Sequence, residues 1–525
     1  MGRAGGGARR HPLVARLTTA PYPDVVGQVV VIGGGVGGMA AAARLAVKGH
    51  SVTLLEQGQR FGGKLARYER DGFVFDTGPS LFTLPAVYRD LFLKTGRALE
   101  ESVDIQPLDT AFAYRFPDGT RLEVPGTNLG RIATAMGNQL GGTADADWRA
   151  LMARAAEVWR ITRRPFIQSP LEGAGTLIRL ATDPREVKAV APFTSLRRLG
   201  RKHLRDPRQV MMLDRYATYQ GSDPRKAPAA LMTVPYVEQE FGAWHLGGGL
   251  ATLADALIAR CEERGVSMRL GADVTRVVSD SRGVTGVELA DGERIPADIV
   301  VANADAEHIY ADMLDDPRAR KPLRAVRRTT PSLAGFVLLL AVRGRTPGLR
   351  HHNVSFPADY DAEFDEVFGG KPVADPTIYI CAPDDERMRP DDDHESWFVL
   401  VNAPRNGPAG RRSRPYRAGP TNWDALRESY ADHILDVMAK RGFDVRDRLL
   451  WREIRTPADL ERDVRAPGGS IYGSSSNGTR AAFLRPANVS PVPGLYLVGG
   501  SSHPGGGLPL VGISAEIVAD AIGRA

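Results

Sequence analysis

The chain has 525 residues, 43 % of them hydrophobic and 25 % charged, which is enough apolar material for a large core or for domains that share interfaces. Its 68 Lys and Arg against 62 Asp and Glu leave a net charge of only +6, too diffuse to imply a nucleic-acid partner. Two cysteines, Cys261 and Cys381, stand far apart without CxxC or CxxH spacing, so neither a disulfide framework nor a zinc motif is indicated and a reducing cytoplasm fits. No window reaches the roughly 18 uninterrupted apolar residues of a membrane span. Residues 1–24 are rich in Gly, Arg and Pro and lack the apolar centre of a secretory signal; they read as a disordered leader.

Residues 25–84 open with Gln28-Val-Val-Val-Ile32, a β-branched run that ends in Gly33-Gly-Gly-Val-Gly-Gly38 and continues as an Ala-rich segment to Lys48 and Gly49. Strand, tight turn, helix and glycine stop follow in order. Gly33, Gly35 and Gly38 hold the GxGxxG positions, with Gly37 between them. The first glycine permits the turn, the second lets backbone approach a pyrophosphate, and the third lets helix and strand pack closely. Phosphate then sits at a helix N-terminus. A second strand, Ser51 to Leu55, delivers Glu56 about twenty positions downstream, where a carboxylate grips ribose hydroxyls. Gln57 follows it as a further cofactor contact. The motif by itself does not choose between FAD and NAD.

Next come Gly62-Gly63-Lys64 and then Phe75-Asp76-Thr-Gly78-Pro79-Ser80. Here the sequence resembles the amine-oxidase and phytoene-desaturase superfamily of FAD proteins, in which a GG-Arg motif follows the acidic residue and an FD-G segment lies along the flavin. The resemblance implies FAD contacts at Gly63, Lys64, Gly78, Pro79 and Ser80. Lys64 replaces the usual Arg, keeping the charge but losing the planar fork.

Residues 85–242 and 331–467 are expected to form a mixed α+β substrate domain, and 243–330 and 468–525 to return to a Rossmann-like α/β FAD domain. Within the first substrate part, Glu186 to Arg205 interleaves Lys188, Arg197, Arg198, Arg201 and Lys202 with Val190, Phe193, Leu196 and Leu199, and Pro192 is placed to open a helix. Such a segment suits either a solvated surface or an anionic membrane from which a hydrocarbon is collected. In the returning part, short strands between Gly265 and Asn303 include Val274, which the resemblance places on the adenine side. His351 and His352 are adjacent, and in a strand they would point to opposite faces, so no metal site is expected.

The chain ends with Gly494-Leu-Tyr-Leu-Val-Gly-Gly500-Ser-Ser-His503-Pro-Gly-Gly-Gly-Leu-Pro509-Leu510-Val511, followed by a helical pattern with Leu510, Ile513, Ile517 and Ala521 on one face. This is similar to the G-x-x-x-HPG-x-G-x-P signature of bacterial carotenoid desaturases. The resemblance runs from about Val29 to Ile522 and implies flavin contacts at Gly500, Leu510 and Val511. The His351 segment looks closer to the hydroxycarotenoid, late-step desaturases. The implied activity is desaturation of a C30–C50 polyene, with quinone or oxygen as acceptor, by a cytoplasmic enzyme peripheral on the inner face of the cell membrane. Oxygenase, isomerase and saturase chemistry in the same family stay open, as does a non-catalytic prenyl-lipid escort. No motif names a catalytic base; His503 is a candidate only by its place near the ring, with a flavin-positioning role as the alternative.

Overall fold

The computed structural model describes residues 27–171, 184–407, 421–478, 481 and 485–525. The expected leader at 1–24 lies outside them. A five-stranded parallel sheet has the order Leu495–Leu497, Ile299–Ala302, Gln28–Ile32, Ser51–Leu55, Ser267–Arg269. The central strands Gln28–Ile32 and Ile299–Ala302 are near-continuous apolar runs because both faces are covered, whereas the edge strand Ser267–Arg269 is more polar and partly exposed. The helix Val36–Val47 follows the first strand and carries four consecutive buried alanines, Ala40 to Ala43. Small side chains let it lie close beneath the helices Ala251–Glu263 and Leu508–Ile522. The C-terminal helix differs from its expected pattern in one respect. Ala521 is exposed, and Ser514, Ala515, Val518 and Ala519 join Ile513 and Ile517 in the buried surface. The helix packs on two sides, so its apolar stripe is wider than one row.

A seven-stranded sheet forms the second body, ordered Leu449–Arg455, Ala334–Arg343, His394–Ala403, Ile378–Cys381, His352–Ser355, Thr110–Arg115, Arg121–Pro125. All pairings are antiparallel except the parallel one between Thr110–Arg115 and His352–Ser355. Register sets Val337 opposite Leu400 and Leu400 opposite Tyr379, one cross-strand row on one face. The alternate residues Phe336, Leu338, Val399 and Val401 point the other way and pack with Trp423, Ile434 and Met438 of the helix Trp423–Lys440. The helices Ala144–Thr162, Pro207–Thr218 and Thr233–Phe241, with a π-helical turn at Arg163–Ile167, cover the first face.

The basic segment departs from its reading. Its helices are Pro184–Val190 and Leu196–His203, and Pro192 lies in the turn between them. Leu196 and Leu199 are buried, and so is Arg197, whose guanidinium pairs with Asp214 and, at 2.8 Å, with Asp361. What remains outside is Phe193, 83 % exposed, with Lys188, Arg198, Arg201 and Lys202. Among the described residues no helix is long and apolar enough to cross a membrane.

Candidate active site

A cavity of about 920 Å³ starts at the C-terminal ends of the parallel strands and continues between the helical layer and the seven-stranded sheet. Strand order reverses between Gln28–Ile32 and its two neighbours there, the place where α/β sheets bind ligands. Gly33, Gly35, Gly37, Glu56, Gln57, Gly63, Lys64, Gly78, Pro79, Ser80, Val274, Gly500, Leu510 and Val511 all line it. Gly38 does not; it sits behind the wall, where a Cβ would come 2.1 Å from the Gly33 carbonyl oxygen. That matches the packing role of a third glycine.

Gly33 has φ +93, and a Cβ on it would meet the Asn303 carbonyl oxygen at 2.6 Å. Glu56 clamps the loop: its carboxylate accepts from Gly34 N–H at 2.7 Å and from Gly58 N–H at 2.8 Å. The Gly62-Gly63 pair stacks on the same turn, with Gly62 N–H donating to Gly34 O at 2.8 Å. These close backbone approaches leave a smooth, side-chain-free cradle of the kind a dinucleotide occupies, and the residues present fit FAD. The Lys64 ammonium turns toward the main chain of a distant segment, donating to Ile471 O at 2.5 Å and Ser470 O at 3.4 Å. Burial pulls its pKa down to about 8, against the attraction of Asp305.

Further residues hold the cradle, and one of them, Asn303, belongs to no motif. Asn303 follows the strand Ile299–Ala302 and joins both chain ends, accepting from Gly38 N–H at 2.8 Å and donating to Val498 O at 3.1 Å. A polar residue directly after a buried strand at the switch point was the available signal. Arg485 donates to the Tyr472, Gly500 and Ser474 carbonyls, and Asn488 to those of Leu497 and His503. His503 is buried and its Nε2 lies 2.9 Å from Phe166 O and 3.0 Å from Ser169 O. Burial lowers its pKa to about 4. It fastens the cavity's π-helical turn to the glycine loop.

The far half of the cavity is lined by Trp159, Phe166, Leu231, Val237, Val337 and Leu400, with Arg215, Tyr219, Glu238 and Tyr379 among them. Tyr379 shares hydrogen bonds of 2.8 Å with Ser80 Oγ and with His352 Nδ1. The expectation that His351 and His352 face opposite ways fails. His352 begins its strand but His351 precedes it, and the two rings meet at 4.5 Å. Their ligand atoms and that of Cys381 lie within 4.8 Å of one another. Burial pushes the His351 pKa down to about 3 and the Cys381 thiol up, which disfavours the thiolate a soft metal needs.

The family model for flavin containing amine oxidoreductase matches residues 36–523. Hydroxyneurosporene desaturase of Rubrivivax gelatinosus is 34 % identical over 94 % of this chain and 93 % of its own length. 4,4'-Diapolycopene oxygenase of a Methylomonas species is 32 % identical over 94 % of this chain and 98 % of its own. 4,4'-Diaponeurosporene oxygenase of Staphylococcus aureus (strain USA300) is also 32 % identical, over 94 % and 97 %. Among solved structures, a triple mutant of putrescine oxidase superposes with a TM-score of 0.63 at 14 % identity, covering 95 % of this chain and 99 % of that one. An oxidoreductase from Methanosarcina mazei gives 0.60 at 15 % identity, over 94 % and 100 %. A shared fold at that distance and shared sequence over nearly the whole chain lead to one statement: this chain belongs to the flavin-containing amine oxidoreductase family and is an FAD-dependent oxidoreductase.

Proposed function

We propose that this enzyme is a carotenoid desaturase, oxidising CH–CH units of a long acyclic polyene. One observation carries the reading: a single cavity joins the glycine cradle to a chamber walled by Trp159, Phe166, Leu231, Val337 and Leu400. A hydrocarbon offers few polar handles, so shape and apolar area hold it while the flavin, when bound, supplies the redox chemistry. Gly33, Gly35, Gly37, Glu56, Gln57, Gly63, Lys64, Gly78, Pro79, Ser80, Val274, Gly500, Leu510 and Val511 would contact FAD, with Gly38 behind them. The N-terminus of Leu508–Ile522 lies at the cavity and favours negative charge there. Phe193, amid Lys188, Arg198, Arg201 and Lys202, would rest on an anionic membrane, the inner face of the cell membrane, where polyene and quinone both dissolve; oxygen is the other possible acceptor.

The test is to supply hydroxyneurosporene and 4,4'-diaponeurosporene in liposomes to the flavin-loaded protein and to analyse products by chromatography and mass. Loss of two hydrogens with a longer chromophore is expected. Two of the relatives are oxygenases, so a product that gains oxygen would favour that branch, and return of both polyenes unchanged would refute the proposal.

A further inference from the structure

The carboxylates Glu56, Asp273, Asp305 and Asp463 line the cavity beside the glycine cradle, but Glu238 does not belong to that group. It comes from the helix Thr233–Phe241, in the helical layer over the chamber. It is 3 % exposed. Its Oε1 accepts from Tyr216 O–H at 2.5 Å and its Oε2 from Tyr219 O–H at 3.2 Å. Tyr219 in turn accepts from Arg215 Nη1 at 2.7 Å.

The cluster is fastened on both sides to the flavin-facing segments. The Arg215 guanidinium lies against the rings of Phe112, Tyr219 and Tyr379 at 4.9, 5.0 and 5.4 Å. Tyr379 is bonded to Ser80, and Gln220 Nε2 donates to Gly506 O at 3.4 Å. A phenol oxygen has one proton to give and two lone pairs. The Tyr219 proton goes to Glu238 and one lone pair to Arg215, so one lone pair remains on a residue that lines the cavity.

Resting on the desaturase reading above, we propose that Glu238 is the proton acceptor of the oxidation, reached from the polyene through the Tyr219 hydroxyl. One hydrogen leaves the substrate with its electron pair, for which the flavin is the acceptor. On the neighbouring carbon the C–H bond breaks and its electron pair becomes the new π bond. Its proton passes to the Tyr219 oxygen while the Tyr219 O–H proton moves to the Glu238 carboxylate. The proton then goes to water as product leaves, which restores the carboxylate. Burial, opposed by Tyr216, Arg215 and Tyr219, raises the Glu238 pKa to about 7, a value suited to a base at neutral pH. Tyr114, from the sheet, is the further titratable group coupled to it.

The experiment is anaerobic flavin reduction by hydroxyneurosporene in liposomes, comparing wild type, Glu238→Gln and Tyr219→Phe, with bound flavin and the visible band of bound polyene recorded for each. Glu238→Gln is expected to keep both ligands and to lose about 100-fold or more in the reduction rate, together with the ascending pH limb near neutrality; Tyr219→Phe should lose about tenfold. In the wild type, without turnover, an infrared carboxylic-acid carbonyl band should titrate near neutrality and be absent from Glu238→Gln. Wild-type rate and pH profile in Glu238→Gln would overturn the assignment. If Glu238→Gln does not fold, Tyr219→Phe decides, and an unchanged rate there overturns it. If the wild type reduces its flavin with no polyene, the desaturase reading falls with it, whereas a silent variant beside an active wild type supports both.

Discussion

At the glycine end of the cavity the wall is largely main chain: three separated segments at Gly33–Gly37, Gly62–Gly63 and Gly499–Gly500 approach so closely that a Cβ on Gly63 would lie 3.2 Å from Gly35 Cα and one on Gly37 3.3 Å from Gly499 Cα. At the helical end the wall is side chain, with rings and branched residues from the sheet Ala334–Arg343, His394–Ala403, Ile378–Cys381 meeting those of Ala144–Thr162, Pro207–Thr218 and Thr233–Phe241. A main-chain wall tolerates almost no substitution but is indifferent to which neighbours surround it. A side-chain wall can be remodelled residue by residue. The contrast teaches that cofactor identity and substrate identity are specified by different physical means within one continuous space.

Substitutions at the two ends should therefore fail differently. The largest effect is expected for Gly38→Ala, whose Cβ would lie 2.1 Å from the Gly33 oxygen. Overpacking of this kind costs about 1–3 kcal/mol, and absorbance of the purified protein should show flavin content reduced at least about tenfold. Asn303→Ala comes next. It strands the Gly38 N–H and the Val498 carbonyl, at a cost of about 1–3 kcal/mol, read as a lower thermal midpoint and weaker FAD binding by titration of the apoprotein. Ala230→Trp narrows the chamber only, so flavin content should stay at the wild-type level while the polyene KM rises by about tenfold. If it instead releases flavin, the two ends are coupled and the comparison fails. Replacing Phe193 by Ser together with Arg198→Glu and Lys202→Glu should reduce sedimentation with anionic liposomes several-fold, leaving turnover in detergent unchanged.

The smallest effect is a pH dependence. The folded-state pKa of Glu238 is raised to about 7, so its protonated form is favoured by folding. Its contribution to stability is fully present below the ordinary glutamate range and is lost as pH rises through about 7. The thermal midpoint of wild type should fall slightly across that interval, and that of Glu238→Gln should fall less.

The same contrast explains what is legible in the sequence. Gly33 to Gly38, Glu56 and the His503-Pro504 loop are local, because a turn, a strand end and a helix start each fit within a short window. Asn303 is not legible there because its two partners come from opposite ends of the chain. Glu238 stayed anonymous among 62 acidic residues, since its meaning depends on Tyr216 and Tyr219 across a helix pair. Arg197 differs from its reading for the same reason: a charge pattern shows which residues are cationic and says nothing of Asp214 buried behind it or of Asp361 beside it. His351 and His352 failed on a strand boundary, where a single residue outside the ladder is free to turn its ring.

The alternation in the seven-stranded sheet has a consequence for variation. Val337 and Leu400 face the chamber, whereas Phe336, Leu338, Val399 and Val401 face the helix Trp423–Lys440 and carry that layer's packing. Each strand thus carries two sets of side chains, one for the wall of the chamber and one for the mechanical backing behind it. Substitution at the chamber-facing positions can widen or tighten that space while the alternate positions hold the scaffold unchanged.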